Sequence, residues 1–266
     1  MHSRLALVTG ASAGIGEAFA RVLAAQGYDL ALTARRSERL ETLAADLQTR
    51  HGVRALIFPA DMAEPATPAA LLAWLAREGR AVDALINNAG YGLPGVFAQS
   101  AWGDQAALLQ VMLTGPSELV HGLLPGMIDR GFGRIINVAS VAGLTPGGMG
   151  HTLYGPIKSF MVRFSQSLHQ ETRGTGVHVS ALCPGLTWSE FHDVNGTRER
   201  LSSGTPRWLW MEAEAVAAAG WEAVEANRAV AVPGAPNKVA AALAKLIPDA
   251  AIMKLMASEG WRARSR

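Results

Sequence analysis

Short apolar runs of strand length alternate with longer stretches of helical period along most of the chain, and no other feature of the sequence narrows the fold as far. Strands joined through helices need crossover connections, so they lie parallel and the helices cover both faces of the sheet. The runs that read as strands are residues 5–9, 29–34, 54–59, 84–87, 134–139, 178–182 and 229–232. The helical stretches are 15–26, 37–50, 68–77, 101–127, 152–172, 212–227 and 238–247, with Ser37 at an expected N-cap and Pro68 at an early helical position. The expectation is an α/β fold: a Rossmann-like, doubly wound, parallel seven-stranded sheet with helices on both faces, in a single domain. Residues 186–211 break the alternation, carrying Gly196, Gly204, Pro206 and three tryptophans without clear period, and read as a substrate lid.

Composition removes several classes of function. With 266 residues, 49% of them apolar and 17% charged, the chain can bury one sizeable core and is not extended disorder. A net charge of +2 gives no concentrated basic face, so no nucleic-acid partner is expected. The basic tail at 261–266 reads as a solvated end or a subunit contact. The single cysteine, Cys183, cannot form an internal disulfide and reads as a small core thiol. The chain enters its first strand directly and offers no uninterrupted apolar window of about eighteen residues, so a cytoplasmic protein without a transmembrane segment is expected. No His, Cys, Asp or Glu cluster has metal-ligand spacing, and no metal is expected.

Immediately after the first strand stands Thr9-Gly10-Ala11-Ser12-Ala13-Gly14-Ile15-Gly16, opening a helix. Glycines in such a turn let the backbone approach a pyrophosphate, while free N–H groups and the positive helix end attract its charge. A dinucleotide cradle is expected at Gly10, Ser12, Ala13, Gly14, Ile15 and Gly16. The second strand ends where dinucleotide folds read the adenosine ribose, and it runs into Arg35-Arg36 rather than an acidic residue. Two guanidiniums suit a 2′-phosphate, so NADP(H) is expected over NAD(H), with Glu38 a nearby group that partly neutralises the pair.

Carbonyl reduction needs a proton for the oxygen that becomes an alkoxide. Tyr154 and Lys158 stand four apart, which puts both on one face of a helix. Lowering a phenol from about 10 to about 7 takes roughly 4 kcal/mol, and an ammonium about 4 Å away at an effective dielectric near 20 supplies roughly that much. Ser140 ends the fifth strand at the carboxyl edge of the sheet, where its hydroxyl can donate to a substrate oxygen.

With these motifs the chain resembles the short-chain dehydrogenase/reductase family, from Thr9 to about Phe191 and in the family's order. The resemblance rests on the glycine turn, Asp61 after the third strand, Asn87-Asn88-Ala89-Gly90 after the fourth, Ser140, Tyr154 with Lys158, and Pro184-Gly185 after the sixth. It implies that Tyr154 is the acid/base, that Ser140 positions the carbonyl, and that Lys158 lowers the phenol pKa and holds the nicotinamide ribose. It further implies that Asp61, with Met62 beside it, meets the adenine, that Asn88, Ala89 and Gly90 line the cofactor, and that Pro184, Gly185 and Thr187 face the carboxamide. Arg35 is similar in position to the residue of NADP(H)-preferring members. A homodimer or homotetramer is implied, with the 152–172 helix a candidate interface.

Two departures from the family pattern stand out. Val111-Met112-Leu113-Thr114-Gly115 puts a methionine where the family has the asparagine of its proton relay, and a thioether cannot orient a water in that way; Thr114 and Gln110 are candidate substitutes. Ser140 and Tyr154 are separated by one or two positions more than usual, with Gly147, Gly148 and Gly150 available to absorb the length. His151 is a further candidate for facing substrate. Trp188, Phe191, Trp208, Leu209 and Trp210 suggest either an apolar pocket for a hydrophobic ketone or secondary alcohol, or rings packed on the protein itself. The function expected is that of an NADP(H)-dependent oxidoreductase; the alternative is a non-catalytic NADP(H)-binding or sensing protein.

Overall fold

The structure is a computed structural model, and it describes residues 3–147, 150, 152–191 and 204–254. Seven parallel strands form one sheet in the order β3-β2-β1-β4-β5-β6-β9. They are β1 (Leu5–Thr9), β2 (Asp29–Ala34), β3 (Ala55–Pro59), β4 (Val82–Asn87), β5 (Gly133–Val138), β6 (Val177–Leu182) and β9 (Val230–Ala231). Every residue of β1, β2 and β5 is buried, as a sheet covered on both faces requires.

Helices α1 (Gly14–Ala25), α2 (Ser37–His51) and α7 (Ala213–Glu225) carry the apolar side chains of one core, among them Phe19, Leu23, Leu40, Leu47, Val216 and Trp221. The opposite core is built from α3 (Thr67–Arg77), α4 (Trp102–Leu109), α5 (Gly115–Asp129) and α6 (Tyr154–Glu171), with Leu71, Leu108, Leu119, Ile157 and Leu168 packed on the sheet. The doubly wound, Rossmann-like arrangement expected from the alternation is therefore present. Helix α8 (Ala235–Leu246) follows β9. Among the described residues, no helix is long and apolar enough to cross a membrane.

The stretch 101–127, expected as one helix, is two helices separated by a π turn at Gln110–Thr114. The Gly115 N–H donates to the Gln110 carbonyl, five residues back. Pro116 has no N–H to return to the Met112 carbonyl four residues earlier, so the ordinary ladder breaks there and a wider turn takes its place. Ser37 is also corrected. It is the first residue of α2 rather than its cap, Arg36 holds the cap position without a capping bond, and the Ser37 hydroxyl donates to Glu41 2.9 Å away. Pro68 lies in the first turn of α3, where its missing N–H is harmless. Of the irregular stretch 186–211, residues 192–203 lie outside the described residues. Its two ends are joined by a short parallel pair, β7 (Thr187–Trp188) with β8 (Met211–Glu212).

A buried polar chain ties the two halves of the sheet to the helices beside the site. Asn87 Nδ2 donates to Asn137 Oδ1 at 2.9 Å, Asn137 Nδ2 to Ser165 Oγ at 2.9 Å, and Ser165 Oγ to the Met161 carbonyl at 2.7 Å. Unpaired amides in so apolar an interior would be strongly penalised, so these bonds fix α6 over β4 and β5 in one register.

Candidate active site

The residues singled out in the sequence gather at the carboxyl ends of the strands: Gly10–Gly16 after β1, Arg35 and Arg36 after β2, Asp61 and Met62 after β3, Asn88, Ala89 and Gly90 after β4, Ser140 after β5, and Pro184, Gly185 and Thr187 after β6. That edge is where open α/β sheets take ligands.

The glycine turn is held from behind by β4. Thr9 Oγ1 accepts from the N–H groups of Asn88 and Ala89, both at 3.0 Å, and Asn88 Nδ2 donates to the Thr9 and Gly10 carbonyls at 3.0 and 3.2 Å. The Asn88 side chain thus braces the turn. A Cβ at Gly16 would stand 2.2 Å from the Gly10 carbonyl oxygen and 2.5 Å from Asn88 Nδ2, so only glycine lets α1 start this close to the strand end. Ala13, at the α1 cap position, makes no side-chain capping bond, which leaves the first N–H groups of the helix to an outside acceptor. A bare cradle at a positive helix end fits a dinucleotide pyrophosphate.

At the β2 end the two arginines diverge. Arg35 is 71% exposed, with Nη1 3.9 Å from Asp61 Oδ2. Arg36 folds back onto the turn, donating from Nη2 to Ser12 Oγ at 3.0 Å and from Nη1 to Glu190 Oε2 at 2.7 Å, while Arg39 donates to the other oxygen of Glu190. The carboxylate that meets Arg36 is therefore Glu190, and the sequence reading had missed both it and Arg39. Asp61 Oδ1 accepts from the Ala63 N–H at 2.9 Å. The Met62 side chain turns into the core instead of the crevice. Thr187 is buried, donating its hydroxyl to the Gly185 carbonyl at 3.1 Å.

Ser140 stands where β5 gives way to a 3-10 turn, Val141–Leu144, and its Oγ accepts from the Ala142 N–H at 3.1 Å. This turn lies directly against α6: a Cβ at Gly143 would be 2.6 Å from the Lys158 carbonyl group, so the missing side chain brings Ser140 up to the start of the helix. Tyr154 is the first residue of α6, hydrogen-bonded with Ser140, and Lys158 follows one turn later. Lys158 Nζ donates to the Val138 carbonyl at 2.7 Å and lies 5.6 Å from the centre of the Tyr154 ring. The three expected catalytic residues are thus brought together.

Their ionisation departs from expectation. Burial pushes the Tyr154 phenol up to about 12, against a smaller lowering by the Ser140 hydrogen bond, and burial pushes Lys158 down to about 8. The acidified phenol expected from the Tyr154 and Lys158 spacing is not a property of the bare chain. Desolvation dominates at Tyr154, whose ring lies against Phe191 with centroids 5.8 Å apart, while the Lys158 ammonium is aimed at the Val138 carbonyl.

Met112 lies in the π turn, buried, with its thioether 3.4 Å from where a Gly90 Cβ would stand. Gln110, weighed as its substitute, has a buried Nε2 with no protein partner. Trp188 and Trp210 stack on each other at 4.2 Å, so for these two the self-packing alternative holds, whereas Trp208 is 69% exposed. Cys183 is fully buried. His151 and Gly148 lie outside the described residues. Among the described residues, no three His, Cys, Asp or Glu side chains converge as a metal site.

The chain is similar to known proteins in sequence and in fold. A family model described as short chain dehydrogenase matches residues 4–199. Nodulation protein G of Rhizobium sp. (strain N33) is 40% identical over 200 residues, 75% of this chain and 80% of that protein. A solved short-chain dehydrogenase from Sphingobium yanoikuyae in complex with NADPH has a TM-score of 0.81 at 33% identity, covering 96% of this chain and 95% of that one. The bulky-bulky ketone specific alcohol dehydrogenase from Comamonas testosteroni has a TM-score of 0.77 at 27% identity, covering 92% of this chain and 93% of that one. The chain belongs to the short chain dehydrogenase family and is an oxidoreductase of hydroxyl and carbonyl groups.

Proposed function

We propose that the chain is an NADP(H)-dependent reductase of hydrophobic ketones, or equally a dehydrogenase of the corresponding secondary alcohols, with Tyr154 as the proton donor and acceptor. The observation that carries this reading is the meeting of Ser140, Tyr154 and Lys158 on the same edge of the sheet as the uncapped glycine turn. When bound, the nicotinamide cofactor supplies or takes the hydride at the carbonyl carbon. The Ser140 hydroxyl holds the substrate oxygen, and the Tyr154 phenol delivers a proton to it as the alkoxide forms. A phenol raised to about 12 stays neutral at physiological pH, which is the form that donates a proton in the reductive direction. Lys158, cationic below about pH 8, opposes the charge left on the tyrosine.

Gly10–Gly16 would receive the pyrophosphate, with Asp61 toward the adenine, Gly90 along the cofactor and Pro184, Gly185 and Thr187 toward the carboxamide. Arg36, already held against Ser12, and exposed Arg35 favour a 2′-phosphate, and a similar structure at 33% identity is a complex with NADPH. Phe191 over Tyr154 favours an apolar substrate beneath the proposed lid at 186–211, and a similar enzyme is specific for bulky ketones. A cytoplasmic homodimer or homotetramer completes the reading, with Phe160 and Phe164, stacked at 5.5 Å on α6, as the contact face.

The test is NADPH oxidation, followed by absorbance, over a panel of bulky ketones, with Tyr154→Phe alongside. Turnover in the parent and a loss of about a thousandfold or more in the variant, with NADPH binding retained, are expected. Tight NADPH binding without turnover on any ketone would instead favour the sensing alternative.

A further inference from the structure

Glu190 occupies an unusual place. One of its carboxylate oxygens accepts from Arg36 at 2.7 Å and the other from Arg39, while Arg36 also reaches Ser12 Oγ, so the carboxylate bridges two guanidiniums beside a hydroxyl. Two guanidiniums and a hydroxyl are the donors that hold a phosphate monoester. These arginines keep the Glu190 carboxyl below its ordinary range, so the group is anionic at neutral pH. The residue before it closes on the cradle as well: a Cβ at Gly14 would stand 2.8 Å from Ser189 Cβ. Thr187 and Trp188, paired with Met211 and Glu212, fix the backbone from which Ser189 and Glu190 reach over the turn.

We infer that Glu190 is an internal occupant of the 2′-phosphate position, which NADP(H) must displace and NAD(H) need not, so that this residue sets the ratio of the two affinities. The inference rests on the reading of Arg36 as a 2′-phosphate contact. Displacement is within reach, because all three side chains are 37–50% exposed and exposed ion pairs are individually weak. The freed carboxylate withdraws to solvent rather than into the adjoining cavity of about 370 Å³, which Glu17, Glu212 and Glu214 also line.

The experiment measures binding of 2′,5′-ADP, NADPH and NADH to the full chain and to Glu190→Gln, Glu190→Ala and Arg36→Ala. Both Glu190 variants are expected to bind 2′,5′-ADP and NADPH about tenfold more tightly, the equivalent of about 1.4 kcal/mol, with NADH changed by less than about twofold. Arg36→Ala is expected to weaken NADPH and 2′,5′-ADP and to spare NADH. Unchanged or weaker NADPH binding in the Glu190 variants overturns the inference, as does an equal gain for NADH. If Arg36→Ala weakens NADPH while the Glu190 variants gain nothing, the cofactor reading stands and this inference falls; if Arg36→Ala changes neither nucleotide, both fall.

Discussion

Lys158 is an ammonium that the fold holds at a disadvantage, and its replacement by methionine turns that into a measurable quantity. Burial takes its pKa from 10.5 to about 8. At 1.36 kcal/mol per unit, the charged form therefore destabilises the folded chain by about 3 kcal/mol at neutral pH. Both folded and unfolded chains carry the proton below pH 8, so the penalty is full there. Between pH 8 and 10.5 the folded chain releases its proton first, the unfolded state binds more protons, and stability rises with pH; above 10.5 neither carries it and the penalty is gone. Lys158→Met removes the penalty but also the 2.7 Å bond to the Val138 carbonyl, worth about 1 kcal/mol for the neutral amine, since the effect of the charge is already contained in the penalty. The variant is thus expected to be more stable than the parent by about 2 kcal/mol at pH 7 and less stable by about 1 kcal/mol near pH 10.5. Urea unfolding followed by tryptophan fluorescence at the two pH values gives the difference, and groups common to both proteins cancel in it. Tyr154, at about 12, does not titrate in the window. A gap that moves by less than about 1 kcal/mol between the two pH values would mean that Lys158 is not desolvated as the geometry requires, and the argument from burial would fail.

Two further outcomes test the frame around the site. Asn137→Ala removes the middle of the Asn87, Asn137 and Ser165 chain and leaves the Asn87 amide with only a 3.4 Å contact to the Pro116 carbonyl, so a loss of about 3 kcal/mol in urea unfolding is expected. Gly16→Ala drives a Cβ into the Gly10 carbonyl and should lower stability by about 3 kcal/mol and abolish NADPH binding, whereas Gly103→Ala, with nothing within 4 Å, should leave thermal unfolding unchanged or slightly raised.

What could be read in the sequence was what depends on neighbours along the chain. The glycine turn follows its strand directly, Tyr154 and Lys158 share a helix face by spacing alone, and seven apolar runs between helices leave few topologies open. What escaped depends on residues far apart or on desolvation. Glu38 stood two positions from Arg36 and looked like its partner, yet Glu190, 154 positions away, is the carboxylate that reaches it, because the β7–β8 pair returns the chain over the turn. The unbroken period of 101–127 concealed the π turn, although Pro116 within it was the signal that a carbonyl one turn earlier would lose its donor. The phenol pKa failed for a third reason. Spacing puts an ammonium near a tyrosine but says nothing of the water removed from both, and here Val138 takes the ammonium while Phe191 covers the ring. The acidity that proton transfer needs is therefore not set by the spacing of Tyr154 and Lys158 alone, because burial acts on both groups against their charged forms.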